Sequence, residues 1–321
     1  MTPLHLAFLG TGRVAAMHAK TLKTFGDEVR CSWASRDAAR ADAMRARFPG
    51  GQAFGSYEAA LADPSVDAAF VVTPPASHLE LTLAALAAGK HVIVEKPAFF
   101  RLADFDTVAA AAARAGRRVL VAENYFYKPM LALVRREIAS GALGDVRFVH
   151  VNALKKQDIG GDWRDDPAQA GGGALFEGGV HWVNFMANLG LPVRAVHGHR
   201  VGAATGPDRS SLLVFEYEGG VVGTLSHSWE VRTPLKGVRL SKVSGTRGTL
   251  TFESNGIFAV RRAGGMRPMF PGLRDMLGYR GMFADFIPAL RENREPRLTY
   301  DIARRDYELL AAVKEAVGGA G

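Results

Sequence analysis

Cysteine is almost missing from this chain: Cys31 is the single one in 321 residues. One thiol forms no intrachain disulfide and builds no cysteine-held zinc site, and it suits a reducing compartment. Long apolar runs are missing too. No stretch reaches the roughly 20 residues that a membrane helix requires, and no basic-then-apolar leader follows Met1. The sequence therefore predicts a cytoplasmic protein with no membrane partner. There is no internal repeat, and no low-complexity tract beyond alanine-rich helical stretches. Charge of one sign is not gathered anywhere. The net charge is +8, but even the arginine-rich part from Arg261 to Arg305 is broken by Asp275, Asp285, Glu292, Glu295 and Asp301. Such scattering argues for solvated faces and attraction of an anionic cofactor, and against a nucleic-acid partner.

What is present is ordinary for a globular protein, with 48% hydrophobic and 22% charged residues, and the length suggests two domains. The chain is organised around its first apolar run, Leu4 to Leu9, which passes directly into Gly10-Thr11-Gly12-Arg13-Val14-Ala15. A run that short, ending in glycine, reads as a buried strand and a tight turn, followed by a helix from Val14 to about Phe25. Gly10 would permit the turn, Gly12 would admit a pyrophosphate, and small Ala15 would let helix and strand pack closely. The helix N-terminus would then face the anion with Thr11, Arg13 and Val14 beside it.

The next strand, Val29 to Ala34, ends at Ser35-Arg36. A carboxylate there would hold the ribose hydroxyls of NAD. Ser35 does not repel a 2′-phosphate and the guanidinium of Arg36 can pair with one, so NADP is expected in preference to NAD. Strands then alternate with helices: Asp67 to Val72 before Thr73-Pro74-Pro75, a helix with Ser77 and Glu80 at capping-box spacing, and His91 to Val94 before Glu95-Lys96-Pro97. A helix from Leu102 to Ala115 and a strand from Arg118 to Ala122 complete a doubly wound parallel sheet, whose ligands lie at the carboxyl ends of its strands.

Gly10-Thr11-Gly12-Arg13-Val14-Ala15, Thr73-Pro74-Pro75 with His78, and the run Ala88-Gly89-Lys90-His91-Val92 leading to Glu95-Lys96-Pro97 resemble the glucose-fructose oxidoreductase / inositol dehydrogenase / rhizopine-catabolism (Gfo/Idh/MocA) family of dehydrogenases. The resemblance implies that Lys96 reaches a substrate hydroxyl beside the nicotinamide, and that a cis bond precedes Pro97. It also implies that Thr73, Pro74, His78, Glu95 and Lys96 belong with the cofactor.

From residue 123 onward the pattern changes to period-two strands: Val146 to Leu154, Val193 to Val201, Ser211 to Tyr217 paired with Val221 to Trp229, Val238 to Ser244, and Gly248 to Glu253. Short turns between them mean an open, mostly antiparallel sheet. The expected fold class is thus α/β. An N-terminal Rossmann domain covers 1–122, and a C-terminal α+β substrate domain covers 123–321, whose last helix is expected to pack back on the first. The open face suggests a homo-oligomer, a dimer or tetramer.

A second chemical segment lies in this half: Trp163-Arg164 after Asp162, then a glycine run, then Glu177 to Asn184. On a helix reaching Leu189, Glu177 and His181 share a face, so the carboxylate would hold the imidazole as a base. The family motif carries Asp where this chain has Glu177 and Asn184. Those departures leave the substrate unnamed. Tyr125, Trp163, Arg164 and Asn184 are expected as substrate-wall residues. His197 and His199 lack a third ligand, so no metal is expected.

The sequence thus points to an NADP-dependent oxidoreductase that moves a hydride between the nicotinamide and a hydroxyl-bearing carbon of a sugar, inositol or related polyol. His181 would be the acid/base, with Lys96 and Glu177 as the other catalytic residues. Two alternatives are a redox-assisted glycosidase with a tightly held nicotinamide and a cofactor-sensing regulator without turnover.

Overall fold

The computed structural model describes residues 2–157, 163–203, 205–233 and 237–318. The chain forms two compact units: Met1–Ala122 with Tyr279–Arg304, and Glu123–Gly278 with Arg305–Gly321.

In the first unit six strands lie in the order β3-β2-β1-β4-β5-β6, all parallel. They are β1 (Leu4–Leu9), β2 (Val29–Ala34), β3 (Ala53–Phe54), β4 (Ala68–Val71), β5 (His91–Glu95) and β6 (Val119–Ala122). Every residue of β1 is buried, which is why its sequence is apolar rather than alternating, apart from His5, whose ring nitrogens bond the Ser65 carbonyl and Ser32 Oγ. Phe8 packs on Trp33 at 4.7 Å and on Phe70 at 4.9 Å between ring centroids. Each such ring contributes about 1.5 to 3 kcal/mol by burial. Order reverses between β1 and β4, the crevice at which a doubly wound sheet takes its ligand. Helix α1 (Arg13–Leu22) follows β1, and the helix Tyr279–Arg291 returns to pack on it, bringing Tyr279 and Phe283 edge-on to His18.

In the second unit eight strands form a sheet in the order β14-β13-β12-β11-β7-β10-β9-β8. They are β7 (Val146–Leu154), β8 (Val193–Val201), β9 (Ser210–Tyr217), β10 (Val222–Ser228), β11 (Leu240–Gly245), β12 (Thr249–Glu253), β13 (Ala259–Arg262) and β14 (Met266–Met269). All pairs are antiparallel except β10 with β7. The β9–β10 hairpin turns on Gly219 and Gly220, both at positive φ. One face is core: Val149, Val151, Leu213, Phe215, Leu225 and Val243 are buried. The alternate residues point away, and Phe148 is 54% exposed beside its cross-strand neighbour Val222.

Two details of the sequence reading change. Ser77 makes no cap to its helix; its hydroxyl lies 2.7 Å from Thr73 Oγ1. The strands β13 and β14 extend the sheet beyond the last strand expected from the sequence, Gly248 to Glu253.

Candidate active site

The turn after β1 is built as an anion cradle. Gly10 has φ +120°, and a Cβ there would lie 2.8 Å from the Val72 carbonyl oxygen, so the position needs glycine. Its N–H donates to the Ala34 carbonyl at 3.0 Å. Gly12 is exposed and a Cβ on it would meet nothing within 4 Å. It caps α1 with no side chain bonded to the first turn. An open glycine, an uncapped N-terminus and the buried Ala15 behind it fit the pyrophosphate of a dinucleotide. Thr11, Arg13 and Val14 are all at least partly exposed around it. Ser35 is buried and its Oγ accepts from Asp37 N at 3.2 Å, while Arg36 is exposed at the strand end.

At the end of β5 the Lys96–Pro97 bond is cis. Glu95 and His78, expected beside the cofactor, are buried and fasten this turn. Glu95 Oε1 lies 2.5 Å from His18 Nε2, and its Oε2 accepts from Lys96 N at 2.9 Å. His78 is 1% exposed, with Nε2 2.9 Å from the Thr73 carbonyl and Nδ1 3.0 Å from that of Pro97. It ties the Thr73-Pro74 loop to the turn that carries Lys96. Burial lowers its pKa, against the pull of those carbonyls.

His181 is held in the second unit by a carboxylate other than the one expected. Its Nδ1 lies 2.6 Å from Glu123 Oε1, and its ring stacks on Tyr125 at 4.4 Å and 16°. Glu123 also accepts from Tyr125 N at 2.9 Å and is 4% exposed. The i,i+4 argument for Glu177 failed on local geometry. Leu175–Gly179 is a π turn, and the α spacing resumes only at helix Val180–Ala187. Hydrogen bonds at i→i+5 rotate Glu177 out of register with His181. The glycines allow this tight packing: a Cβ on Gly178 would lie 2.5 Å from the Trp229 ring.

Glu177 Oε1 accepts from Arg164 Nε at 3.3 Å, and the Arg164 guanidinium lies 4.4 Å over the Trp163 ring. Arg164 and Glu177 line a cavity of about 160 Å³ with Asp208, Arg209, Trp229 and the glycine run. The polar lining carries both charge signs, which suits a neutral polyhydroxylated ring. Asn184 does not line it. It is 2% exposed and its Nδ2 donates to Asp306 Oδ2 at 2.6 Å, a packing role. Asp162 lies outside the described residues.

Glu123 was missed because it sits 58 residues before His181, although its place at the end of a sheet strand was a usable signal. His227 was missed as well. It is buried on β10 and interacts with both Glu177 and His181, and burial pushes its pKa down to about 4, leaving it neutral. Burial likewise raises Tyr125 to about 12, so its phenol keeps its proton.

Two family descriptions match the chain: "Oxidoreductase family, NAD-binding Rossmann fold" over residues 4–123 and "GFO/IDH/MocA C-terminal domain" over 131–251. An uncharacterized oxidoreductase of Rhizobium meliloti is 30% identical over 79% of this chain and 75% of its own length. Trans-1,2-dihydrobenzene-1,2-diol dehydrogenase of Mus musculus is 30% identical over 67% of this chain and 63% of its own, so the match spans less than two thirds of that enzyme. In fold, the chain is similar to aldose-aldose oxidoreductase from Caulobacter crescentus, with TM-score 0.85 and 22% identity over 98% and 97% of the two chains. With both of its sheets, its glycine turn and its Glu-Lys-Pro segment accounted for, this chain belongs to the Gfo/Idh/MocA family of NAD(P)-dependent oxidoreductases.

Proposed function

We propose that the protein transfers a hydride between NADP and a secondary hydroxyl carbon of a ring polyol, such as a sugar or an inositol. The observation that carries this reading is the pairing of His181 Nδ1 with Glu123. A carboxylate accepting from Nδ1–H fixes the tautomer in which Nε2 has the free lone pair, the form that takes a hydroxyl proton. Lys96 supplies a positive charge to the alkoxide as it develops. The Arg164–Glu177 pair binds and orients ring hydroxyls, with Trp163 as an apolar wall, while Tyr125, expected as a wall, has its ring stacked on His181. When bound, the nicotinamide supplies the hydride chemistry at its C4. Gly10, Thr11, Gly12, Arg13 and Val14 would hold the pyrophosphate. The diol named in the mouse relative supports the same class, since it too carries adjacent ring hydroxyls.

Lys96→Met and His181→Asn are each expected to cut turnover by roughly 10²- to 10⁴-fold with NADP affinity retained. Kinetics and cofactor titration check it; full turnover in His181→Asn would remove the histidine from the reaction. NADP preference rests on Ser35 and Arg36. Arg36→Ala is expected to weaken NADP by about 1.5 to 3 kcal/mol and NAD far less, measured by fluorescence titration; equal losses would contradict the preference. The open face around Phe148 and Val222 is read as the seat of a second copy, which a solution mass by light scattering checks against a monomer.

A further inference from the structure

Lys128 is a buried cation that the scheme above does not use. Its side chain is fully buried and Nζ has no hydrogen-bond partner among the described residues. Buried charges are ordinarily paired, because removing an ion from water without compensation is costly. Two carboxylates act on this ammonium, Glu253 and Glu123, yet neither bonds to it. Glu253 Oε1 accepts from Asn255 Nδ2 at 2.9 Å and from Arg239 N at 3.3 Å, and its Oε2 accepts from Gly256 N at 3.0 Å. Glu123 Oε1 is committed to His181 and to Tyr125 N. Arg239, the other cation facing Lys128, lies 5.3 Å over the Trp182 ring.

Aromatic faces stand where a counter-ion would. Lys128 Nζ is 4.2 Å from the centroid of Tyr125 and 5.7 Å from that of Trp182, within the reach of the attraction between a cation and a ring quadrupole. Tyr125 is the ring that stacks on His181. A stacked imidazole covers the face it lies on, which leaves the opposite face to the ammonium. The segment between them is firmly seated: Lys128 N donates to the Tyr125 carbonyl at 3.1 Å, and Asn124 Nδ2 to the Leu277 carbonyl at 2.6 Å.

We propose that Lys128 is a positioning residue for His181, its ammonium drawing on one face of Tyr125 and so holding the other face stacked against the imidazole. The proposal deepens the reading of His181 as the proton-handling group and rests on it for its functional meaning. Lys128 touches no substrate; it acts through Tyr125. Desolvation first, and then Arg239, lowers its pKa to about 8 against the opposing pull of Glu253 and Glu123. The cation is therefore present below that pH and lost above it, and the stack loosens as it is lost.

The test is NMR of the histidine ring C–H groups in the full chain, with the His181 resonance identified by its disappearance in His181→Asn. A stacked tyrosine displaces that resonance upfield, and Tyr125→Leu gives its position without the stack. The wild type is expected to show the displacement at about pH 7 and to lose part of it by about pH 9. Lys128→Arg, which does not titrate there, should keep it at both, and Lys128→Met should lack it at both. An unchanged displacement in folded Lys128→Met overturns the proposal. Should that variant not fold, a wild-type displacement as constant through about pH 9 as that of Lys128→Arg overturns it instead. Turnover is read separately: Lys128→Met should lose roughly tenfold in kcat with little change in KM, and Lys128→Arg should recover it. Full turnover in His181→Asn would defeat the functional reading while leaving the NMR result standing.

Discussion

At the scale of single residues the account turns on which carboxylate serves His181. Glu123 is 2.6 Å from its Nδ1, and Glu177 faces Arg164. Glu123→Gln keeps the shape, and its amide oxygen can still accept from Tyr125 N and from Nδ1–H, but it removes the negative charge that raises the ring's basicity and stabilises the imidazolium. Turnover is expected to fall by roughly 10²-fold or more, with NADP affinity unchanged. On the proposed reading, Glu177→Gln should act mainly on KM, because Glu177 is paired with Arg164 and the base is oriented by Glu123. Steady-state kinetics of the two variants decide it; the reverse order would restore Glu177 as the orienting acid. The sequence made His181, Lys96, Arg164 and Glu177 legible, because each sits in a local pattern of glycines or at a strand end. It hid Glu123 and Lys128, whose meaning depends on contacts made far along the chain. The hydrogen bond of Asn184 was hidden for the same reason: its partner, Asp306, lies 122 positions away.

At the scale of elements, strands and helices of the first unit were readable because burial on both faces leaves mostly apolar runs, uninterrupted in β4 and broken only by His5 in β1. The π turn Leu175–Gly179 was not, since apolar periodicity near glycines does not tell i→i+4 from i→i+5. β13 and β14 escaped because each has four residues, with arginines and Pro268 in place of an alternation. The turn between β6 and the helix Pro129–Ala139 carries a stability consequence. Lys128 has a folded pKa of about 8 against an ordinary 10.5. The unfolded chain therefore holds more protons between those values, and stability rises with pH across that window. Below about 8 the penalty is constant, and Lys128→Met is expected to be more stable than wild type there by roughly 3 kcal/mol. Denaturant unfolding at several pH values should show the advantage shrinking as pH rises from about 8 toward the ordinary lysine value. An advantage that grows instead would contradict a buried, unpaired ammonium.

At the scale of the whole molecule, the family follows from two different units, each with its own sheet and its own chemistry. The first brings a glycine cradle and Lys96 to the carboxyl ends of parallel strands. The second brings His181, Glu123 and the Arg164–Glu177 cavity onto the helical segments that cover an open sheet. Net charge +8 adds attraction for an anionic dinucleotide. The most direct measurement is nicotinamide absorbance with NADP and a panel of aldoses, inositols and trans-1,2-dihydrobenzene-1,2-diol, run beside a nitrophenyl glycoside. Hydride transfer predicts an absorbance change with at least one ring diol, lost in His181→Asn and in Lys96→Met; glycoside cleavage with no absorbance change for any compound would contradict it.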